Sequence, residues 1–376
     1  LRLDLSNQAG VFRQYGRESG AADIAVAISR REIFHSKPTT GAFSAKEKFL
    51  GSEEIRMIVN NWQGWIGILV GVVALFGTWP AAQAQTQKIR ISLSSRSNTN
   101  TSYYVAQARG IFRDEGLEVE FVQINPRLGA MAVLNGDVTF TTSFVSTFRG
   151  VVQGLPMKTV FILLKKGLYY LMVRPEVIKD VQELKGKKLG VTAINGGDHI
   201  IGRELLRMKG IDPNSVQAIA VGDPSLRFQA VVTGIVQAVS VPPPYDVQLQ
   251  NMGLKAVSGP PEIGVPSSGL FAADRVIKEN PQVLRRTIRA LLKANRFLEA
   301  NREETIRIMS QYVPQKLDLA ARSYDVELKT LAKDGTMTDG EIEGQMERLA
   351  DKKRPLDEVR DFSFARAAWK ELEAGK

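Results

Sequence analysis

Residues 88–121, KIRISLSSRSNTNTSYYVAQARGIFRDEGLEVEF, decide the fold. Ile89, Ile91 and Leu93 alternate with polar neighbours, as in a half-buried strand. Ser94, Ser95, Arg96, Ser97, Asn98, Thr99 and Asn100 follow, a run with no apolar side chain. Tyr104, Val105, Ala108, Ile111 and Phe112 then share one helical face. Gly116 ends that helix, and Leu117, Val119 and Phe121 resume a period of two with Glu118 and Glu120 opposite. The stretch is a β-α-β unit whose first loop presents small polar groups at a helix start. Free backbone N–H groups and the helix dipole suit such a place to a small polar or anionic ligand.

The chain has 376 residues, enough for two or three domains. Its charged fraction of 24% and hydrophobic fraction of 44% are those of an ordinary globular protein. The formal net charge is +10, but Lys and Arg are interspersed with acids rather than gathered in blocks. That distribution argues against nucleic acid as a partner. Cysteine is absent, which removes disulfides, thiol nucleophiles, Cys-held zinc and a lipid-modified N-terminal Cys. With only His35 and His199, a His-rich metal centre or a Ser-His-Asp triad has almost nothing to draw on. No catalytic residue, metal or cofactor is expected, and the expected role is not enzymatic.

Residues 1–56 show no sustained period and read as a non-native or wrongly assigned N-terminal extension. Residues 57–84 read as a signal peptide. Ile66 to Trp79 is uncharged and mostly apolar, Pro80 follows, and Ala82-Gln83-Ala84 is a small-x-small site with expected cleavage after Ala84. The apolar run is short for a membrane-spanning helix, which needs roughly 20 residues. If translation starts at Met57, the region before the apolar run carries no Lys or Arg, so an uncleaved signal anchor is the alternative. The expected location is periplasmic.

The mature chain reads as two α/β lobes, each a mostly parallel sheet flanked by helices. Residues 85–174 form the first part of lobe 1, 175–263 form lobe 2, and 264–376 complete lobe 1 and add C-terminal helices that pack on it. Strands are expected at Val138–Thr142, Val160–Leu164 and Tyr169–Val173 in lobe 1, and at Lys188–Thr192, Val216–Val221 and Val236–Val241 in lobe 2. Ala132-Val133-x-x-Gly136-x-Val138 and Ala230-Val231-x-x-Gly234-x-Val236 share one spacing, each a helix end, a glycine stop and a strand start. That agreement points to a duplicated architecture. Val283–Ala300, Arg302–Tyr312, Lys316–Lys333, Asp339–Leu349 and Phe364–Glu373 read as helices without intervening strands.

The run from Tyr104 to Val119, YVAQARGIFRDEGLEV, resembles the signature of periplasmic solute-binding proteins of nitrate/sulfonate/taurine-type ABC transporters, a group that includes thiamine-precursor binders. Leu184-Lys185-Gly186-Lys187-Lys188-Leu189-Gly190-Val191 is similar to that family's opening of the second lobe, and Asp361-Phe362-Ser363-Phe364 also fits. The resemblance covers roughly Lys88 to Trp369. It implies a periplasmic-binding-protein fold of type II, a monomer, a small-molecule solute and an ABC permease in the inner membrane as partner. Two positions depart from the family pattern: Thr139 and Gln237 stand where an acid is common at a strand start. A fungal pyrimidine synthase shares the fold, but its chemistry depends on His and Cys residues for iron and a self-consumed histidine. A membrane-tethered ligand sensor is the other alternative.

Ligands in open α/β sheets bind beyond the carboxyl ends of the strands. Four loops would face an interlobe cleft, and they supply the candidate binding residues: Ser94, Ser95, Arg96 and Asn100 with Tyr103; Thr142 and Ser143; Asn195 and Gly196; Pro243 and Tyr245. Each loop is also an ordinary capped helix start, which the same residue types favour. The expected solute is anionic or neutral, with an aromatic one possible; Asp198 would repel an anion, which leaves a neutral or cationic ligand open. The lobes are expected to close by hinge motion at Arg174 and Pro175 and between Gly264 and Gly269.

Overall fold

The computed structural model describes residues 86–259, 264–350 and 352–375. The readings for residues 1–56, for the signal peptide 57–84 and for cleavage after Ala84 lie outside them. Two five-stranded sheets form two lobes. In sheet one the order is β2-β1-β3-β10-β4, with β1 Gln87–Leu93, β2 Leu117–Gln123, β3 Phe140–Ser143, β4 Met157–Leu164 and β10 Ser268–Ala273. In sheet two it is β7-β6-β8-β5-β9, with β5 Tyr170–Val173, β6 Lys188–Val191, β7 Gln217–Ala220, β8 Ala238–Val241 and β9 Lys255–Ser258. In each sheet one strand runs against the rest: β10 is antiparallel to β3 and β4, and β5 to β8 and β9.

Lobe 1 carries α1 Thr101–Ala108, α2 Ile111–Asp114, α3 Gly129–Asn135 and α4 Phe144–Val152. Lobe 2 carries α5 Gly197–Met208, α6 Pro224–Val232 and α7 Tyr245–Asn251. After β10 come α8 Asp274–Glu279, α9 Pro281–Ala300, α10 Arg302–Tyr312, α11 Leu317–Leu328, α12 Asp339–Ala350, α13 Leu356–Val359 and α14 Ser363–Ala374. The amphipathic α9 buries Leu284, Ile288, Leu291, Leu292 and Leu298 against α1 and α14. Each such side chain contributes about 1.5–3 kcal/mol. Glu115, buried at the end of α2, accepts from Arg289 and Lys293 of α9, the Lys293 Nζ at 2.7 Å. The C-terminal helices therefore pack on lobe 1, as the pattern predicts. The expected Lys316–Lys333 helix ends earlier, at Leu328, because Thr330 Oγ1 folds back on the Glu327 carbonyl and Leu331 bridges to Leu164.

The sequence repeat is a structural repeat. Gly136 (φ 88°) and Gly234 (φ 81°) both end their helices in the left-handed region, where a Cβ is strained. Both departures from the family pattern do one job. Thr139 Oγ1 accepts from the Arg90 N–H at 3.3 Å, and Gln237 Oε1 accepts from the Lys188 N–H at 3.2 Å. Each side chain holds the next parallel strand in place without a carboxylate.

The predicted hinges need correction. The strand expected over Tyr169–Val173 is not part of lobe 1. As β5 it pairs with β8 and β9, so the chain leaves lobe 1 across residues 165–169. Arg174 and Pro175 already lie in lobe 2, where Arg174 pairs with Glu176 and its guanidinium covers Gly234. Arg275 covers Gly136 in the same way in lobe 1. The chain returns between β9 and β10, a segment that includes Gly264, whose carbonyl accepts from Gln345 Nε2 at 2.6 Å. Gly269 is instead a buried residue of β10, opposite Ile162. The two crossings touch: the Ser267 N–H donates to the Leu164 carbonyl at 3.3 Å, and Ser267 Oγ to the Lys166 carbonyl at 3.2 Å. Among the described residues no helix is long and apolar enough to cross a membrane.

Candidate functional site: the cleft between the lobes

The first loop is mostly consumed by its own structure. Asn100 Nδ2 donates to the Ser95 carbonyl at 3.1 Å, and Ser97 Oγ meets Thr99 Oγ1 at 2.7 Å. Asn98 and Gln315 exchange amide hydrogen bonds, which ties the loop to the α10–α11 connection. Ser94 and Ser95 remain at the cleft, and Arg96 is exposed with no carboxylate partner among the described residues. Asn100 is buried inside lobe 1 and does not line the cleft.

Tyr103 also departs from expectation. It is fully buried, edge-on to Phe121, and its hydroxyl donates to the Gly269 carbonyl at 2.6 Å. Helix α1 lies between the sheet and the C-terminal helices, so neither of the adjacent tyrosines reaches solvent. Tyr104 stacks on Tyr312 at 4.6 Å.

Thr101, the first residue of α1, carries a proton count. Its hydroxyl lies 2.7 Å from the Asn98 carbonyl and 2.7 Å from Glu327 Oε2. The Asn98 carbonyl already accepts the Thr101 N–H, so the single hydroxyl proton can serve either oxygen. Burial pushes the Glu327 carboxyl up to about 8, and the protonated acid can itself donate to Thr101. Lobe 1 thus holds a neutral carboxylic acid beneath its first loop.

The N-termini of α4 and α5 approach each other across the cleft. Val145 lies 3.6 Å from where a Cβ on Gly197 would stand. Around this meeting point Ser94, Ser95, Ser143, Tyr169, Thr192 and Gly197 line a cavity of about 20 Å³. A water needs about 10–15 Å³, so this closed arrangement fits no organic solute without opening. Thr142 is buried beside this cavity rather than lining it, and Gly196 is the cap of α5. Asn195 (φ 62°) points to the outer rim, where its N–H donates to His199 Nδ1 at 2.9 Å. Burial chiefly, then the charge of Arg203, lowers the His199 pKa and keeps that nitrogen an acceptor.

Asp198 does not oppose an anion as expected. Its Oδ2 accepts from Arg227 Nη1 at 2.8 Å and from the Thr192 N–H at 2.6 Å. Both charged side chains are buried, and Arg227 also donates to the Ser240 carbonyl. The pair neutralises itself inside lobe 2. Sequence reasoning missed Arg227 because nothing local marks it; its partner lies on another helix.

The fourth loop has a cis Pro243–Pro244 bond. Pro243 is buried, whereas Tyr245 is half-buried, tilted 6.3 Å from Phe228. Burial, then the charge of Asp223, raises the Tyr245 pKa; Arg96 from lobe 1 acts on it in the opposite sense. The next residue, Asp246, is pushed up to about 6 by burial. Across the cleft mouth Gln123 Nε2 donates to Asp223 Oδ2 at 2.6 Å, a contact between lobes that the sequence did not signal. A wider cavity, about 450 Å³, lies at the opposite ends of β1–β3. Its charges pair across strands, Lys88 with Glu118 and Arg90 with Glu120, and it reads as a solvated groove.

A two-lobe α/β protein with strand tips and helix starts converging on one cleft has the periplasmic-binding-protein fold. The NMT1/THI5-like family model matches residues 97–305, and the chain belongs to that family. The riboflavin-binding protein RibY of Chloroflexus aurantiacus is 26% identical over 63% of this chain and 69% of its own length. A 4-amino-5-hydroxymethyl-2-methylpyrimidine phosphate synthase of Saccharomyces cerevisiae, THI13, is 23% identical over 59% of this chain and 70% of its own. Among solved structures, the periplasmic nitrate-binding protein NrtA of Synechocystis PCC 6803 has a TM-score of 0.65 at 15% identity, over 77% of this chain and 90% of that one. Sulfonate-binding SsuA proteins share the fold.

Proposed function

We propose that this protein is the solute-binding receptor of an ABC importer. It captures a small anionic or neutral solute between its lobes and delivers it intact to a membrane permease after export to the periplasm. The observation that carries this reading is the convergence of α4 and α5, one from each lobe, on Ser143 and Gly197. Each helix start attracts negative charge by about 0.3–1 kcal/mol, and Arg227 neutralises Asp198, the carboxylate in the first turn of α5. Ser94, Ser95 and Ser143 add neutral hydrogen bonds. Arg96 and Tyr245 would close over the solute at the mouth, and the touching crossings at residues 165–169 and 264–267 would act as the hinge.

The yeast relative favours a second reading, a synthase of the same fold. The absence of cysteine weighs against it, since the resemblance ties that chemistry to His and Cys. Thermal-shift screening against nitrate, sulfonates, flavins and pyrimidines tests the receptor reading, because a ligand selective for the native state raises the melting temperature. Scattering with the best ligand should show compaction, and mass spectrometry should recover that ligand unchanged. Recovery of an altered molecule would favour the synthase; identical scattering profiles with a saturating ligand would end the hinge model.

A further inference from the structure

A second pocket, about 240 Å³, lies on the rim behind the α4–α5 meeting point. Lobe 1 contributes Arg127, Ser146 and Arg149, and lobe 2 contributes Asn195. Neither guanidinium has a carboxylate or hydrogen-bond partner among the described residues, although elsewhere in this chain arginines are widely paired. The Ser146 hydroxyl is shielded from water and also lacks a partner. Asn195 is held outward in its left-handed turn by His199.

The position of Arg149 alone has an ordinary explanation. It occupies the last turn of α4, where a cation meets the negative end of the helix dipole. Arg127 has the opposite placement, two residues before the start of α3. That is the end at which a cation is disfavoured. Arg149 from lobe 1 and Arg203 from lobe 2 both act on His199, and Asp198, which acts on it in the opposite sense, is already paired with Arg227. Cations gathered across a junction with no acid between them make a positive potential that attracts an anion.

We propose that this rim pocket is a second anion site. It takes a tetrahedral oxyanion of the phosphate or sulfate class, either as the free ion or as the charged tail of the solute in the main cleft, and its occupation favours the closed lobes. The two guanidinium forks, the Ser146 hydroxyl and the Asn195 amide supply its donors. The site itself does not depend on the transport reading; only the tail variant does.

The test titrates inorganic phosphate into the purified chain at constant ionic strength, read by phosphorus NMR line width and by melting temperature. Saturable binding is expected, weakened at least tenfold in the double variant Arg127→Gln/Arg149→Gln and restored in part by Arg127→Lys/Arg149→Lys. A distant surface variant, Arg302→Gln, which loses its ion pair with Asp325, should leave phosphate binding unchanged. Phenyl phosphate separates the sources: affinity equal to that of the free ion identifies a free-ion site, and a gain abolished by Ser143→Ala identifies a solute tail. Saturable binding that persists in the double glutamine variant, or its absence for both phosphate and phenyl phosphate, overturns the proposal. Circular dichroism confirms that each variant is folded.

Discussion

The two lobes bury an acid beneath the first loop of each sheet and treat it in opposite ways. In lobe 2, Asp198 at the start of α5 accepts from Arg227 and from a backbone N–H in a buried ion pair. In lobe 1, Glu327 reaches the start of α1, finds only the Thr101 hydroxyl, and gives up its charge. The difference follows from what is adjacent. An arginine on α6 is close enough to answer Asp198, whereas among the described residues no cation pairs with Glu327, so burial raises its pKa. Neither solution leaves a free negative charge at the helix starts, and that is the condition an anion-accepting cleft requires. Duplicated architecture has kept the electrostatic outcome and changed the chemistry.

The largest break in this comparison comes from removing one side of the ion pair. Arg227→Met should cost about 3–5 kcal/mol, because it strands a buried carboxylate. Denaturant unfolding measures the loss, and Asp198→Asn/Arg227→Met should recover most of it. A loss below 1 kcal/mol in the single variant would show that Asp198 finds water or another partner. Next, Gly136→Ala and Gly234→Ala probe the shared helix stop. Each should cost about 1–2 kcal/mol for its left-handed backbone. The lobe 2 variant should lose more, since its Cβ collides with the Arg174 guanidinium. Equal losses would mean that both arginines swing away freely.

Glu327→Gln sharpens the contrast through pH. The folded-state pKa of Glu327, about 8, lies above its ordinary 4.5. The native state therefore holds the proton more tightly, and the contribution of this group to stability falls as pH rises from 4.5 to 8. Glutamine keeps a donor to Thr101 without that slope. A shift from 4.5 to about 8 is worth up to about 4 kcal/mol over that interval, so melting temperature at pH 8 should rise by several degrees, while at pH 4.5 the two proteins should nearly match. A variant that is less stable at both values would rule out the neutral acid. The smallest effect belongs to Gln123→Ala. Loss of its exposed bond to Asp223 should shift the closed lobes toward open by about 0.5 kcal/mol, visible as a slightly larger radius of gyration and no change in unfolding midpoint.

How far the sequence could be read differs with the kind of signal. The β-α-β unit, the glycine stops and the amphipathic α9 are written in local periodicity, and they fold as that periodicity requires. Strand β5 looks like any apolar strand, since a period of two says nothing about which sheet a strand joins. Its antiparallel insertion between β8 and β9 displaced the expected lobe boundary from residues 165–169 to Arg174. Tyr103 was expected at the cleft because only one face of α1 was credited with a core; packing on both sides buries it. Arg227 and Glu327 act through partners that are distant in sequence, at separations of 29 and 226 residues. No spacing rule connects such pairs. The neutral polar loop was visible, but not that its side chains would mostly bind one another.

Strand β10 sits inside sheet one, joining β3 to the edge strand β4, yet it follows the whole of lobe 2 in the chain. All five strands of lobe 2 are contiguous, from Tyr170 to Ser258. During synthesis lobe 2 can therefore reach its native pairing while the sheet of lobe 1 still has a gap between β3 and β4. Non-local pairing of that kind is slow. Lobe 1 is the half whose assembly sets the pace, and a chain halted before residue 268 would display one finished half beside an open, adhesive strand edge.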